Sequence, residues 1–318
     1  MSTELFISGY RTNFLNAAVN LPTLNSKQSE DLAPVDGRPD NVAEYINYSL
    51  QVSASRGFPY YTASNIDGVN FKKAPRRDAW RTDQRISREH QWGPELYRAD
   101  KSDFDKGHMT KREDVQWGDS IAIASKAADA TFFYTNAVPQ HAQLNQQIWR
   151  SLEDYVLHTE ARQHDLLISV FTGPVLSKKD PWFVTPVKNR RLQLPILFWK
   201  IIYFTRKDGS LYRVGFLMSQ SSLLFSEGIV ETAITEKARG EETEEDQLFM
   251  EFEEADTYQV NIGTIETLSG LQFAKASEPF EDSRSIRLVL KEIDIKESIK
   301  ESNNAYEQIG FRIEGLQI

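Results

Sequence analysis

The run Leu194–Phe204 is the most apolar stretch of the chain, and it is strand-length and broken by Lys200. A membrane helix needs roughly 20 consecutive apolar residues, and no stretch of that kind exists here. The run is rich in β-branched and aromatic residues, which favour a pleated, buried strand. Tyr212–Met218 follows it after Asp208-Gly209, a dipeptide suited to a hairpin turn. Leu166–Val170 precedes it with the same character. Before these runs, Gln143–Thr159 places Leu144, Ile148, Leu152 and Tyr155/Val156 at helical spacing. The expected class is α+β, with a mixed, mainly antiparallel central sheet flanked by helices and long loops.

The rest of the chain divides around this centre. Residues 1–50 are polar and punctuated by Pro22, Pro34, Gly37 and Pro39, which suits an N-terminal arm packed on a domain. The main domain is expected over 51–275, with a C-terminal extension over 276–318. Tyr60–Ile66 reads as a strand stopped by Asp67-Gly68. Residues 72–102 read as a long surface loop, of the sort that commonly carries function. Phe104–Thr110 reads as a short strand or turn, and Ala130–Asn136 as a strand. Ile262–Phe273 reads as a short helix ending near Gly270, and Ile286, Leu288 and Leu290 as one extra strand.

The 318 residues include no cysteine and five histidines. Disulfides, iron–sulfur clusters and thiol catalysis are thereby excluded, and a structural zinc site is not expected. The start, MSTELFISGYRTNFL, lacks a basic segment followed by an apolar run, so no secretory signal is read there. The expected location is cytoplasmic, with export by a non-classical route as the alternative. No membrane partner is expected.

The formal net charge is −9, which by itself disfavours a nucleic-acid partner. The charges are segregated, however. Residues 241–256, inside an acidic insertion over 236–256, carry nine acids and no base. Between Lys72 and Arg112 lie twelve bases against seven acids. A local field steers an anion more than the total charge does. The basic segment is read either as a solvated surface or as a phosphate-binding face.

Four clusters follow one another. They are Arg76 with Trp80, Arg81 and Asp83; Asp105-Lys106-Gly107-His108; Thr135–Gln140; and Asn145, Trp149 and Glu153. Helical spacing puts the last three along one side of a helix. A carboxamide and a carboxylate are hard oxygen ligands suited to Mg²⁺, Mn²⁺ or Ca²⁺. Gly107 lets the backbone turn or approach a ligand before His108. A neutral imidazole can accept a proton from water. Taken singly, each also reads as an ordinary structural residue. His90, His141, His158 and His164 have no comparable context.

As an ordered set, these residues resemble the DNA/RNA non-specific endonucleases, the sugar-nonspecific branch of the ββα-metal nucleases. Asp105–His108 is similar to their D-R-G-H signature. Thr135–Gln140 and Asn145–Asp154 are similar to T-N-x-x-P-Q followed by N-x-x-x-W-x-x-L-E-D, and Arg76–Asp83 to the family's arginine segment. The resemblance spans roughly 55–275, with Tyr61–Gly68 and Ile265–Leu271 included. It implies a strand–strand–helix unit holding one divalent ion. His108 takes the role of general base. Asn145 is the direct metal ligand, and Glu153 a carboxylate acting on the metal through water. Arg76 contacts the phosphate, with Lys106 and Arg81 as further phosphate-binding groups. Asp105 and Asn136 shape the site.

Two departures stand out. Lys106 replaces the family's arginine, keeping the charge but not the planar fork. Leu157 occupies the position of another arginine one turn after the glutamate.

The resemblance implies a Mg²⁺-dependent endonuclease, with Mn²⁺ as substitute. It would cut DNA and also RNA without sequence preference and leave 5′-phosphates. A gated role in defence or as a toxin effector would fit such an activity. The alternative is a catalytically weakened nuclease fold that binds nucleic acid or a partner. Residues 276–318 are expected to serve a homodimer or a regulatory partner.

Overall fold

The computed structural model describes residues 9–142, 167–231, 252, 257–282, 284–292 and 311–317. Its frame is an eight-stranded antiparallel sheet. The strands are β1 (Ala43–Tyr45), β2 (Tyr48–Val52), β3 (Pro59–Asp67), β6 (Leu167–Pro174), β8 (Leu197–Thr205), β9 (Leu211–Ser219), β11 (Thr257–Val260) and β12 (Ile286–Arg287), in that spatial order. The segments between and after these strands contribute three short antiparallel pairs. They are β4 (Phe104–His108) with β5 (Ala137–His141), β7 (Trp182–Phe183) with β10 (Val230–Glu231), and β13 (Val289–Glu292) with β14 (Phe311–Glu314).

The hairpin expected at Asp208-Gly209 joins β8 to β9, with Thr205 opposite Leu211. β8 starts at Leu197, three residues after the apolar run begins, because Pro195 offers no N–H to a ladder. β3 is buried along its whole length, and its partners are β2 and β6. The core gathers Phe171, Phe198, Trp199, Tyr203 and Phe216 around the middle strands. The mainly antiparallel central sheet expected from the sequence is found, and all of its described strand pairs are antiparallel.

Four described helices accompany the sheet. α1 (Ser26–Glu30) is closed by a capping box between Asn25 and Gln28. α2 spans Ile121–Ala130, α3 spans Ser221–Ser226 and α4 spans Ile262–Ser269. α4 ends where the sequence indicates. Gly270, at φ 69°, takes the left-handed cap conformation that a side chain would disfavour.

Ala130–Asn136 is not a strand. Ser120 caps the start of α2, which runs through Ala130 and is followed by a 3₁₀ turn over Tyr134–Asn136. The inward face of α2 is Ala124, Ala127 and Ala128, small residues that leave a faint apolar stripe in the sequence. The strand lies one step later, at β5. It pairs only with β4, so Pro139 is tolerated without a ladder N–H on its other side.

The boundary placed at residue 50 falls inside β2. β1 and β2 build a second core with Val35, Ile86, Val115 and Ala127. There Tyr45 and Tyr48 stack with ring centroids 4.6 Å apart. Tyr48 O–H donates to Ala130 O at 2.7 Å, and Tyr45 O–H shares a 2.9 Å bond with Thr135 Oγ1. The sheet edge thereby fixes the end of α2 and the turn that leads into β5.

Candidate active site

β4 and β5 pair in register, with Asp105 opposite Gln140, Gly107 opposite Val138 and His108 opposite Ala137. The ribbon is tied to the main sheet by one amide. Gln220 Nε2 donates to Pro139 O at 3.2 Å and to Pro195 O at 2.7 Å, and its Oε1 accepts from His141 N at 2.9 Å. A Cβ at Gly107 would meet the Gln140 side chain, so a larger residue there would have to displace that side chain. The glycine serves close packing across the ribbon, and its φ is not in the left-handed region.

Past His108 the ladder stops and Asn136 takes over. Met109 N donates to Asn136 O at 2.9 Å. Thr110 N donates to Asn136 Oδ1 at 2.8 Å, and Asn136 Nδ2 donates to Thr110 O at 2.9 Å and to Thr131 O at 3.0 Å. Asn136 is fully buried, so each of these bonds replaces water that cannot reach it.

The His108 ring packs against Trp80, centroids 4.7 Å apart, and edge-on to Phe132 at 5.1 Å. Its Nε2 is buried and has no hydrogen-bond partner among the described residues. An unpaired buried nitrogen is costly in a purely structural histidine and calls for an explanation. Burial pushes the pKa of His108 down to about 4, with the charges of Glu113 and Asp78 opposing and those of Arg76 and Arg112 reinforcing the shift. The imidazole is therefore neutral at pH 7.

The residues around it divide into exposed and buried groups. Arg76 is 65% exposed and pairs with Asp78 at 2.7 Å. Lys106 is half-buried, its Nζ 5.9 Å from the Trp80 ring centroid and 5.5 Å from that of Tyr97. Tyr97 in turn stacks on Tyr134 at 5.7 Å. Arg81 lies on the Phe133 ring at 4.0 Å, while its backbone bonds to Phe132 O and Tyr134 N hold Trp80 beside the histidine. Asp105 sits on β4 and is half-buried. Asp83, grouped with Arg76 in the sequence, is a structural hub that accepts from Tyr45 O–H at 2.6 Å and Arg85 at 2.7 Å.

The structure thus brings His108, Lys106, Asn136, Trp80 and the charge of Arg76 together. Asn145, Glu153 and Leu157 lie outside the described residues, as does most of the acidic insertion. Among the described residues, no group of three or more His, Asp or Glu could hold a metal. His141 pairs with Glu227 at 2.9 Å.

Sequence reasoning missed Gln116 and Tyr97, and it gave no individual role to Arg112 or Gln140. Arg112 sits within the charged run Lys111–Asp114 and looks like surface, yet it is 7% exposed. Periodicity carries no signal for a buried arginine in a turn.

The arrangement supplies the two paired strands of a ββα-type nuclease unit, with a histidine closing the first strand; the helix expected over 143–159 lies outside the described residues. The chain belongs to the DNA/RNA non-specific endonuclease family, whose model matches residues 33–280. It is 37% identical over 223 residues to the uncharacterized protein y4fB of Sinorhizobium fredii, covering 67% of this chain and 32% of that protein. It is 26% identical over 181 residues to a nuclease of Nostoc, covering 56% and 60%. Human mitochondrial endonuclease G matches over 75 residues at 36% identity, 23% of this chain and 22% of that protein. The chain therefore spans less than two thirds of each of these relatives. A solved complex of EndoG with EndoGI, described as showing the mechanism of EndoG inhibition, shares the fold. Its TM-score is 0.50 at 20% identity, over 73% of this chain and 85% of that one.

Proposed function

We propose that the protein is a metal-dependent endonuclease that hydrolyses phosphodiester bonds of DNA, and of RNA, without sequence preference. The observation that carries this reading is the neutral His108 with its buried, unpartnered Nε2, held beside Lys106 and within the field of Arg76 and Arg112. His108 takes a proton from the attacking water as the new P–O bond forms in line with the departing 3′-oxygen. The bond to that oxygen breaks, leaving a 5′-phosphate and a 3′-oxyanion, which takes a proton from solvent water to become the 3′-hydroxyl. Arg76 and Lys106 offset the charge gathering on the phosphate. Trp80 and Phe132 keep bulk water from the ring and hold its orientation.

The donor chemistry fits a hard divalent cation, Mg²⁺ or Mn²⁺. The described side of the site supplies a neutral base without a carboxylate cluster, and the oxygen ligands would be Asn145 and, through water, Glu153. When bound, the cation would supply charge neutralisation at the phosphate and at the departing oxygen. Phosphate contacts carry no base information, so sequence preference is weak.

The test is nicking of supercoiled plasmid and cleavage of RNA with Mg²⁺, with and without chelator. Wild type cuts only with metal, and His108→Ala falls by about 10³-fold or more, at the scale of a lost general base. Undiminished cutting by His108→Ala would refute the assignment.

A further inference from the structure

We propose that Arg112 is a positioning residue that holds Arg76 in the field of His108 by clamping the two peptide carbonyls before it. The inference rests on the reading of Arg76 as the phosphate contact.

Residues 72–80 form no regular structure, so their backbone groups need partners from elsewhere. The partners come from the turn that follows His108. Lys72 N donates to Gln116 O at 2.7 Å, and Ala74 N to Gln116 Oε1 at 2.9 Å. Pro75 has no N–H, so the Ala74–Pro75 peptide can be held only through its carbonyl, and the next carbonyl belongs to the peptide leading into Arg76. Arg112 Nη2 donates to both of them, Ala74 O and Pro75 O, at 2.8 Å each. A guanidinium suits this task because its donors are fixed in one plane, whereas an ammonium would have to split a flexible point charge between two acceptors.

The clamp is itself anchored. Arg112 Nη1 donates to Glu113 Oε1 at 3.0 Å, and Gln116 Nε2 donates to Arg112 O at 3.4 Å. Three residues separate His108 from Arg112, and Asn136 fixes the first two of the intervening peptides. One short turn therefore sets both the base and the strand that delivers the exposed arginine. The Nε of Arg112 is also buried and lacks a partner among the described residues.

The experiment is a double-mutant cycle with Arg76→Ala and Arg112→Gln in the full-length protein. It is read by plasmid nicking with Mg²⁺ and by anisotropy of a fluorescein-labelled oligonucleotide in chelator, where no cleavage occurs. Arg112→Gln alone is expected to lower kcat/KM by about tenfold or more, and Arg76→Ala by about 10²-fold, the scale of a lost transition-state donor. In the Arg76→Ala background, Arg112→Gln should cost no more than about twofold, because coupled residues are non-additive. The anisotropy titrations should show the same non-additivity. Multiplicative losses would overturn the clamp while leaving the Arg76 reading intact. Full activity of Arg76→Ala would overturn both. If circular dichroism shows that Arg112→Gln does not fold, Gln116→Leu removes the Ala74 bond from the same turn. The same cycle and the same two outcomes then apply to it.

Discussion

Asn136 and Thr110 exchange two hydrogen bonds, Thr110 N to Asn136 Oδ1 at 2.8 Å and Asn136 Nδ2 to Thr110 O at 2.9 Å. The amide side chain thus extends the β4–β5 ladder by one rung beyond His108. Asn136→Asp should be nearly as damaging as Asn136→Ala. The carboxylate can accept from Thr110 N but cannot donate to Thr110 O or Thr131 O. We expect a loss of about 2–4 kcal/mol in stability from buried acceptors left unpaired. Urea denaturation checks this, and a variant within experimental error of wild type would contradict it.

His108 links activity and stability to pH. Its folded pKa, about 4, lies below its ordinary value of 6.5, so between those values the unfolded chain binds the extra proton. The contribution of His108 to stability is complete above pH 6.5, shrinks as pH falls, and has been lost once pH passes below the folded value. The full difference is about 3 kcal/mol at 1.36 kcal/mol per unit. A His108→Gln variant should therefore show a shallower loss of stability than wild type between pH 7 and pH 4. Parallel curves for the two proteins would count against the depressed pKa.

Trp80→Ala exposes the same ring. The pKa of His108 should rise, moving the acidic limb of kcat/KM towards pH 6 while His108 itself remains in place. A pH–rate profile of the variant checks this. An unchanged limb would mean that Trp80 does not set the solvation of the imidazole.

Gly107→Ala should destabilise the protein by about 1–3 kcal/mol, the range for overpacking. The added methyl meets Gln140, whose Nε2 has no partner among the described residues. Gln140→Ala in the same chain should recover most of the loss, since little bonding is given up. Thermal melts of both variants decide it, and no recovery in the double variant would count against the packing account.

Lys106→Arg should bind nucleic acid at least as well as wild type, because Trp80 and Tyr97 offer faces on which a guanidinium stacks. Lys106→Ala should reduce the slope of log affinity against log salt by about one phosphate contact. Titrations of a labelled oligonucleotide at several salt concentrations in chelator check both.

Much of this was legible in the chain. The strand runs around Leu194–Phe204, the Asp208-Gly209 hairpin and the glycine cap at 270 follow local rules that the structure obeys. Arg76, Lys106, His108 and Asn136 were found as a set because their spacing resembles a known family. α2 was hidden because its buried face is alanine, and β1 and β2 because their strands are only three and five residues long. Arg112 and Gln116 were hidden for a different reason. Their partners are backbone atoms at 72–75, and no side-chain pattern encodes a bond to a distant carbonyl.

The scaffold around the imidazole is fastened mainly by carboxamides. Asn47 donates to Val115 O and Trp117 O, and Gln116, Asn136 and Gln220 complete the ties. Carboxamides gain and lose no protons across the range in which enzymes are assayed. Acid that protonates the imidazole therefore leaves these particular ties in place.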